Sequence, residues 1–95
     1  MQDLRHEGEH LFLSGDITSV SAQQYRDRLE SVLMQVSDQL YADFSAVGHV
    51  DTSVLALCLS LQRQAKQCGF KLHFCNVSSQ MISIAESVGL GELFA

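Results

Sequence analysis

The feature that most constrains this chain is one amphipathic segment set between two short runs of alternating apolar residues. Val54, Leu57, Cys58, Leu61, Ala65 and Cys68 recur at a 3.6-residue period, with polar Arg63, Gln64, Lys66 and Gln67 among them, and Gly69 follows as a C-terminal stop. The spacing predicts a helix with Asp51, Thr52 and Ser53 at its N-terminus. Before it, Leu40, Ala42 and Phe44 alternate with Tyr41 and Asp43; after it, Lys71 to Cys75 puts Leu72 and Phe74 on one face. Two strands joined through a helix need a crossover connection, which points to a partly parallel sheet with helices packed on it.

The flanking segments extend this pattern. His10 to Ser14 reads as a strand stopped by Gly15-Asp16, and the residues before Gly8 can pair with it as a first hairpin strand. Ser21 with Gln24 makes a capping box, after which Ala22, Tyr25, Leu29, Val32, Leu33 and Val36 recur at helical spacing. The strand that starts at Leu40 is expected to end near Ser45 to Gly48. Ser78 or Ser79 is expected to cap a last helix carrying Met81, Ile82, Ala85 and Val88 up to Gly89. The expected order is ββαβαβα, an α/β fold with a small four-stranded mixed sheet and packed helices. Ninety-five residues suit one hydrophobic core, so residues 1–95 are expected to form one domain.

Eleven acidic and six basic residues give a formal net charge of −5. The six cations, Arg5, Arg26, Arg28, Arg63, Lys66 and Lys71, are scattered, which argues against a nucleic-acid partner. The longest apolar run, Val54 to Leu59, is far shorter than the roughly 20 residues of a membrane span. Met1 to Glu7 has neither a basic start nor an apolar stretch, so no secretory signal is visible and a cytoplasmic location is expected.

Motifs for chemistry are missing. Cys58, Cys68 and Cys75 match no C-x-x-C pair or zinc set and are expected to be buried reduced thiols. His6, His10, His49 and His73 lack paired-ligand spacing, and no phosphate-cradling glycine loop or nucleophile elbow is present. No catalytic residue, metal or cofactor is therefore expected. What remains is the turn His49 to Leu57, with one carboxylate and two hydroxyls at a helix start. Asp51, Thr52 or Ser53 can simply cap the free N–H groups, or the helix terminus can favour a phosphate placed there. Leu55, Ala56 and Leu59 stray from the core stripe toward solvent, as the edge of the core or as a partner patch.

These residues and their neighbours resemble the STAS domain family. Leu13-Ser14-Gly15-Asp16-Ile17 is similar to its early L-x-G-x-[LI] strand end, and Ala42 to Ser53 to its strand, turn and D-[ST]-[SG]-G signature. Within the family, Asp51-Thr52 followed by Leu55-Ala56-Leu57 is most similar to the small cytoplasmic STAS subunits of Mla-type phospholipid ABC transporters. That resemblance implies a non-enzymatic protein, peripheral to the inner membrane, that docks on an ABC transporter ATPase subunit through the start of this helix and supports its assembly and ATP hydrolysis. Thr52 matches the hydroxyl that matters for docking in that group. The expected partner-binding residues are Asp51, Thr52, Ser53, Leu55, Ala56, Leu59 and Arg63, with Thr52, Leu55, Ala56 and Leu59 as anchors and Ser53 and Arg63 at the rim. One departure supports an alternative reading, an anti-sigma-factor antagonist controlled by phosphorylation of Ser53, and a second weakens it. Ser53 replaces a usual glycine and matches the serine that anti-sigma-factor antagonists have phosphorylated by a partner kinase. Val54 also replaces a glycine and is expected to crowd a partner approaching the helix start.

Overall fold

The computed structural model describes residues 3–94. Strand β1 (Asp3–Glu7) and strand β2 (His10–Ile17) form an antiparallel hairpin in which Glu7 faces His10. Its turn places Gly8 at φ 60°, the glycine-first geometry that two-residue hairpins favour because it follows the twist of the strands. Helix α1 (Ala22–Leu33), strand β3 (Gln39–Val50), helix α2 (Ser53–Cys68), strand β4 (Lys71–Cys75) and helix α3 (Ser79–Ser87) follow, and a 3₁₀ turn (Gly91–Phe94) closes the described chain. The sheet order is β1-β2-β3-β4, with β2, β3 and β4 parallel. The expected ββαβαβα order is the observed one, with the 3₁₀ turn added.

Stepping from β2 to β3 to β4 moves in one direction across the sheet. Two right-handed crossovers made in one direction put both helices on the same face, and α1 does pack against α2. Leu11, Leu13, Leu40, Ala42 and Phe44 face those helices and are buried. The opposite face carries a stacked row, with His10 5.2 Å from Tyr41 and Tyr41 4.7 Å from His73 between ring centroids. Phe74, half-buried on β4, meets Phe94 edge-on at 5.5 Å, so the 3₁₀ turn covers the β4 end of the core.

Several local expectations are corrected. β2 runs through Gly15 and Asp16 to Ile17, and β3 runs on to Val50, because the two strands keep pairing across two irregularities, with Ser14 opposite Ala46 and Ile17 opposite Val50. Ser21 precedes α1 but makes no capping bond to it. Its hydroxyl, fully buried, instead donates to the Asp16 carbonyl at 2.7 Å and accepts from the Thr18 N–H at 3.0 Å. Ser78 does cap α3, accepting from the Met81 N–H at 3.2 Å, but only Met81 and Ala85 of that helix are buried while Ile82 and Val88 are exposed. Gly69 ends α2 in the left-handed conformation, φ 78°, as its position predicts. Of the three cysteines only Cys58 is buried; Cys68 lies exposed in the last turn of α2, and Cys75 is half-buried.

Candidate partner-docking site

Parallel strands β2 and β3 end side by side, so the loops leaving them toward α1 and α2 are neighbours. Two carboxylates tie them together. Asp16, in β2, accepts the His49 N–H of β3 on Oδ1 at 2.8 Å. Asp51, just after β3, accepts the Ser19 N–H on Oδ2 at 3.0 Å and the Ser53 N–H on Oδ1 at 2.8 Å. The N–H groups of Ser19 and Ser53 favour the charged form and hold the Asp51 carboxyl below the usual carboxylate range. Asp51 therefore caps the first turn of α2 and fixes the β2–α1 loop with the same side chain.

This arrangement assigns the hydroxyls different duties from the carboxylate. Thr52 occupies the N-cap position with helical backbone angles and makes no side-chain capping bond, and it is exposed. Its hydroxyl thus stays available to a partner. Ser53 is half-buried, with its N–H committed to Asp51. Val54 is fully buried, which corrects the expectation that it crowds an approaching partner: its side chain points into the core.

The apolar patch is also redrawn. Ala56 is exposed and Leu59 is 42% exposed, but Leu55 is only 4% exposed and belongs to the core. Helix α2 packs against α1, α3 and β4, so its buried arc is wider than the single stripe that periodicity suggests. Arg63 is exposed further along the same face. Thr52, Ala56, Leu59 and Arg63 are therefore brought together on one outer face, Asp51 supports it, Ser53 sits at its edge, and Leu55 lies beneath. Residue-type reasoning passed over Val20. It follows the anchored Ser19, is 84% exposed, and stands as the one apolar side chain in the turn Thr18 to Ser21. Its isolation among hydroxyl residues was the available signal.

Among the described residues no group of three His, Cys, Asp or Glu side chains is placed to hold a metal ion, and no helix is long and apolar enough to cross a membrane.

A family model described as "Mlab, STAS domain" matches residues 1–95. The chain belongs to the STAS domain family. A comparison with curated proteins gave no match. Among solved structures, it is similar to the anti-sigma factor antagonist SpoIIAA in its unphosphorylated form, with a TM-score of 0.75, 18% identity, and coverage of 98% of this chain and 84% of that one. The phosphorylated form of the Bacillus cell fate determinant SpoIIAA gives 0.71 and 18%, over 98% and 87% of the two chains. A sulfate transporter family protein from Wolinella succinogenes gives 0.67 and 19%, over 92% and 70%. At these identities the likeness concerns the fold, and this STAS domain shares its mixed sheet and helices with them.

Proposed function

We propose that this STAS domain is a non-enzymatic subunit that docks on the ATPase subunit of an Mla-type phospholipid ABC transporter and supports its assembly and ATP hydrolysis. It works in the cytoplasm and reaches the inner membrane only through that partner. The observation that supports this most is the outer face of α2, where Thr52, Ala56 and Leu59 are exposed on a helix start held rigid by Asp51. A pre-organised surface loses little freedom on binding, so its apolar centre can supply affinity while one hydroxyl fixes register. The match to a family model carrying the Mlab description agrees with this choice of partner.

Because Val54 is in the core, it does not obstruct a kinase approaching the half-buried Ser53 at the start of α2. The competing function, an anti-sigma-factor antagonist controlled by phosphorylation of Ser53, is read in the same experiment. The chain is mixed with the purified ATPase subunit of the Mla-type transporter from its own organism, complex formation is followed by size-exclusion chromatography, and ATP hydrolysis is measured. The Ser53 peptide from native cells is examined by mass spectrometry. A stable complex with stimulated hydrolysis and unmodified Ser53 is expected. No complex, together with phosphate on Ser53, overturns the transporter function in favour of the switch.

A further inference from the structure

Helices α1 and α2 leave a cleft of about 200 Å³ between them. Its floor is apolar, from the buried Leu29, Leu33 and Leu61, and its rim carries Arg26 of α1 and Arg63 of α2. Both guanidinium groups have only neutral partners. Arg26 donates to the Gln23 side-chain carbonyl at 3.1 Å and Arg63 to the Ser60 hydroxyl at 3.4 Å. Arg5 and Arg28, by contrast, are each paired with a carboxylate, Glu7 and Asp3. In a chain with a net charge of −5, two arginines without an ion pair among the described residues share one cleft, and Glu30 is the one acidic side chain lining it. The cleft also continues the docking face. Thr52, Ala56, Leu59 and Arg63 are spaced four, three and four residues apart, so they follow one face of α2 for about 16 Å at 1.5 Å per residue.

We propose that the partner presents an acidic segment to this cleft: an apolar side chain on the Leu29–Leu33–Leu61 floor and a carboxylate between Arg26 and Arg63. The inference rests on the docking function proposed above and adds the chemistry of the segment that binds. Arginine suits this task because its planar fork pairs two N–H groups with one carboxylate, and its weak hydration lowers the cost of partial burial at an interface. The apolar floor favours a peptide over a free inorganic anion, which has nothing to place against leucine. Glu30 opposes the incoming charge, so the cleft admits an acidic segment against a built-in repulsion that its neutral variant lacks.

The test is a titration of the purified transporter ATPase subunit with the full chain, repeated over a range of salt concentrations. Arg26→Gln and Arg63→Gln are each expected to weaken binding about tenfold, the low end for a charge-assisted hydrogen bond at a partly exposed site. The double variant is expected to flatten the dependence of affinity on salt, and Arg→Lys at both positions to preserve that dependence. Glu30→Gln is expected to tighten binding, an effect of opposite sign that general surface damage does not produce. Thermal melts check that each variant stays folded, and Arg26 and Arg63, half-buried and exposed, are not core groups. If both Gln variants bind like the wild type while Leu59→Glu abolishes binding, the acidic-segment inference is overturned and the docking face stands. If Thr52→Ala and Leu59→Glu also bind normally, or the wild type does not bind, both fall. Competition by inorganic phosphate as effective as loss of the arginines would make the cleft a small-anion site and overturn the peptide inference.

Discussion

The Asp51 carboxylate accepts the Ser19 N–H at 3.0 Å across 32 residues of sequence, joining the loop after β2 to the loop after β3. Its other oxygen caps α2 through the Ser53 N–H. Both bonds are made to the charged form, so the folded-state pKa lies below the unfolded value near 3.9. The contribution is fully present above that unfolded value and is lost as pH falls through the folded pKa. Asp51→Asn is therefore expected to lower the melting temperature near neutral pH and to narrow the gap to wild type below about pH 4. A series of thermal melts from neutral to acidic pH measures this. A gap that stays constant into acid refutes the role given to the charge.

Gly48 is required by a close approach rather than by its backbone angles. A Cβ placed there would meet Asp16 Oδ1 at 2.6 Å, and that oxygen is already held by the His49 N–H. Gly48→Ala is expected to displace the carboxylate and cost about 1 kcal/mol, the net value of one hydrogen bond. In an Asp16→Ala background the same change has nothing left to displace, so it is expected to be nearly neutral. Denaturant unfolding of the two single variants and the double closes the cycle, and simple additivity counts against the clash.

The elements legible from the sequence are those with strong periodicity and clear punctuation. Gly69 ended α2, Gly8 turned the first hairpin, and Leu40-Ala42-Phe44 marked a strand with one face buried. The continuation of β3 through Ser45 to Gly48 was hidden because its pairing with β2 is made by backbone groups, to which side-chain polarity is blind. Ser21 and Gln24 carried the letters of a capping box, yet the Ser21 hydroxyl bonds backward to Asp16 and Thr18. At the candidate site, the exposure of Ala56, Leu59 and Arg63 was readable from helical spacing, whereas the free Thr52 hydroxyl was not, since its residue type suits a cap equally well. The burial of Leu55 was not, since it depends on neighbours on both sides of α2. Ser19 reaches Asp51 through its backbone N–H alone, which leaves no residue-type signal.

Leu55 and Leu59, one helical turn apart, are expected to behave in opposite ways. Leu55→Ala removes a buried side chain and leaves a cavity, with an expected cost of about 2–3 kcal/mol. Leu59→Glu changes a side chain already 42% exposed and is expected to shift stability by no more than about 0.5 kcal/mol. Thr52→Ala removes an exposed hydroxyl with no capping bond and should be equally mild. Urea denaturation measures all three. Titration with the ATPase subunit then shows whether the two mild variants have lost binding while keeping their fold. A Leu59→Glu variant that unfolds would place Leu59 in the core and remove it from the docking face.

The three cysteines are expected to react in the order of their surroundings. Burial pushes the Cys58 thiol up to about 12, so at pH 8 almost none of it is thiolate, and the fully covered side chain also excludes reagent. Cys68 is exposed at the end of α2, and Cys75 is half-buried on β4. A thiol-alkylating reagent applied to the native protein at pH 8 should modify Cys68 first and Cys75 more slowly. Cys58 should be modified only after unfolding, since its protection comes from the fold. Peptide mapping of the time course, with and without denaturant, separates the sites. The Cys58 rate then reports the opening of α2 from the sheet, because that side chain is reached only when the helix leaves the core. If Asp51 braces the helix start, Asp51→Asn should accelerate Cys58 modification near neutral pH and leave the Cys68 rate unchanged. Equal acceleration at both cysteines would instead indicate general loosening and would contradict a brace confined to the beginning of α2.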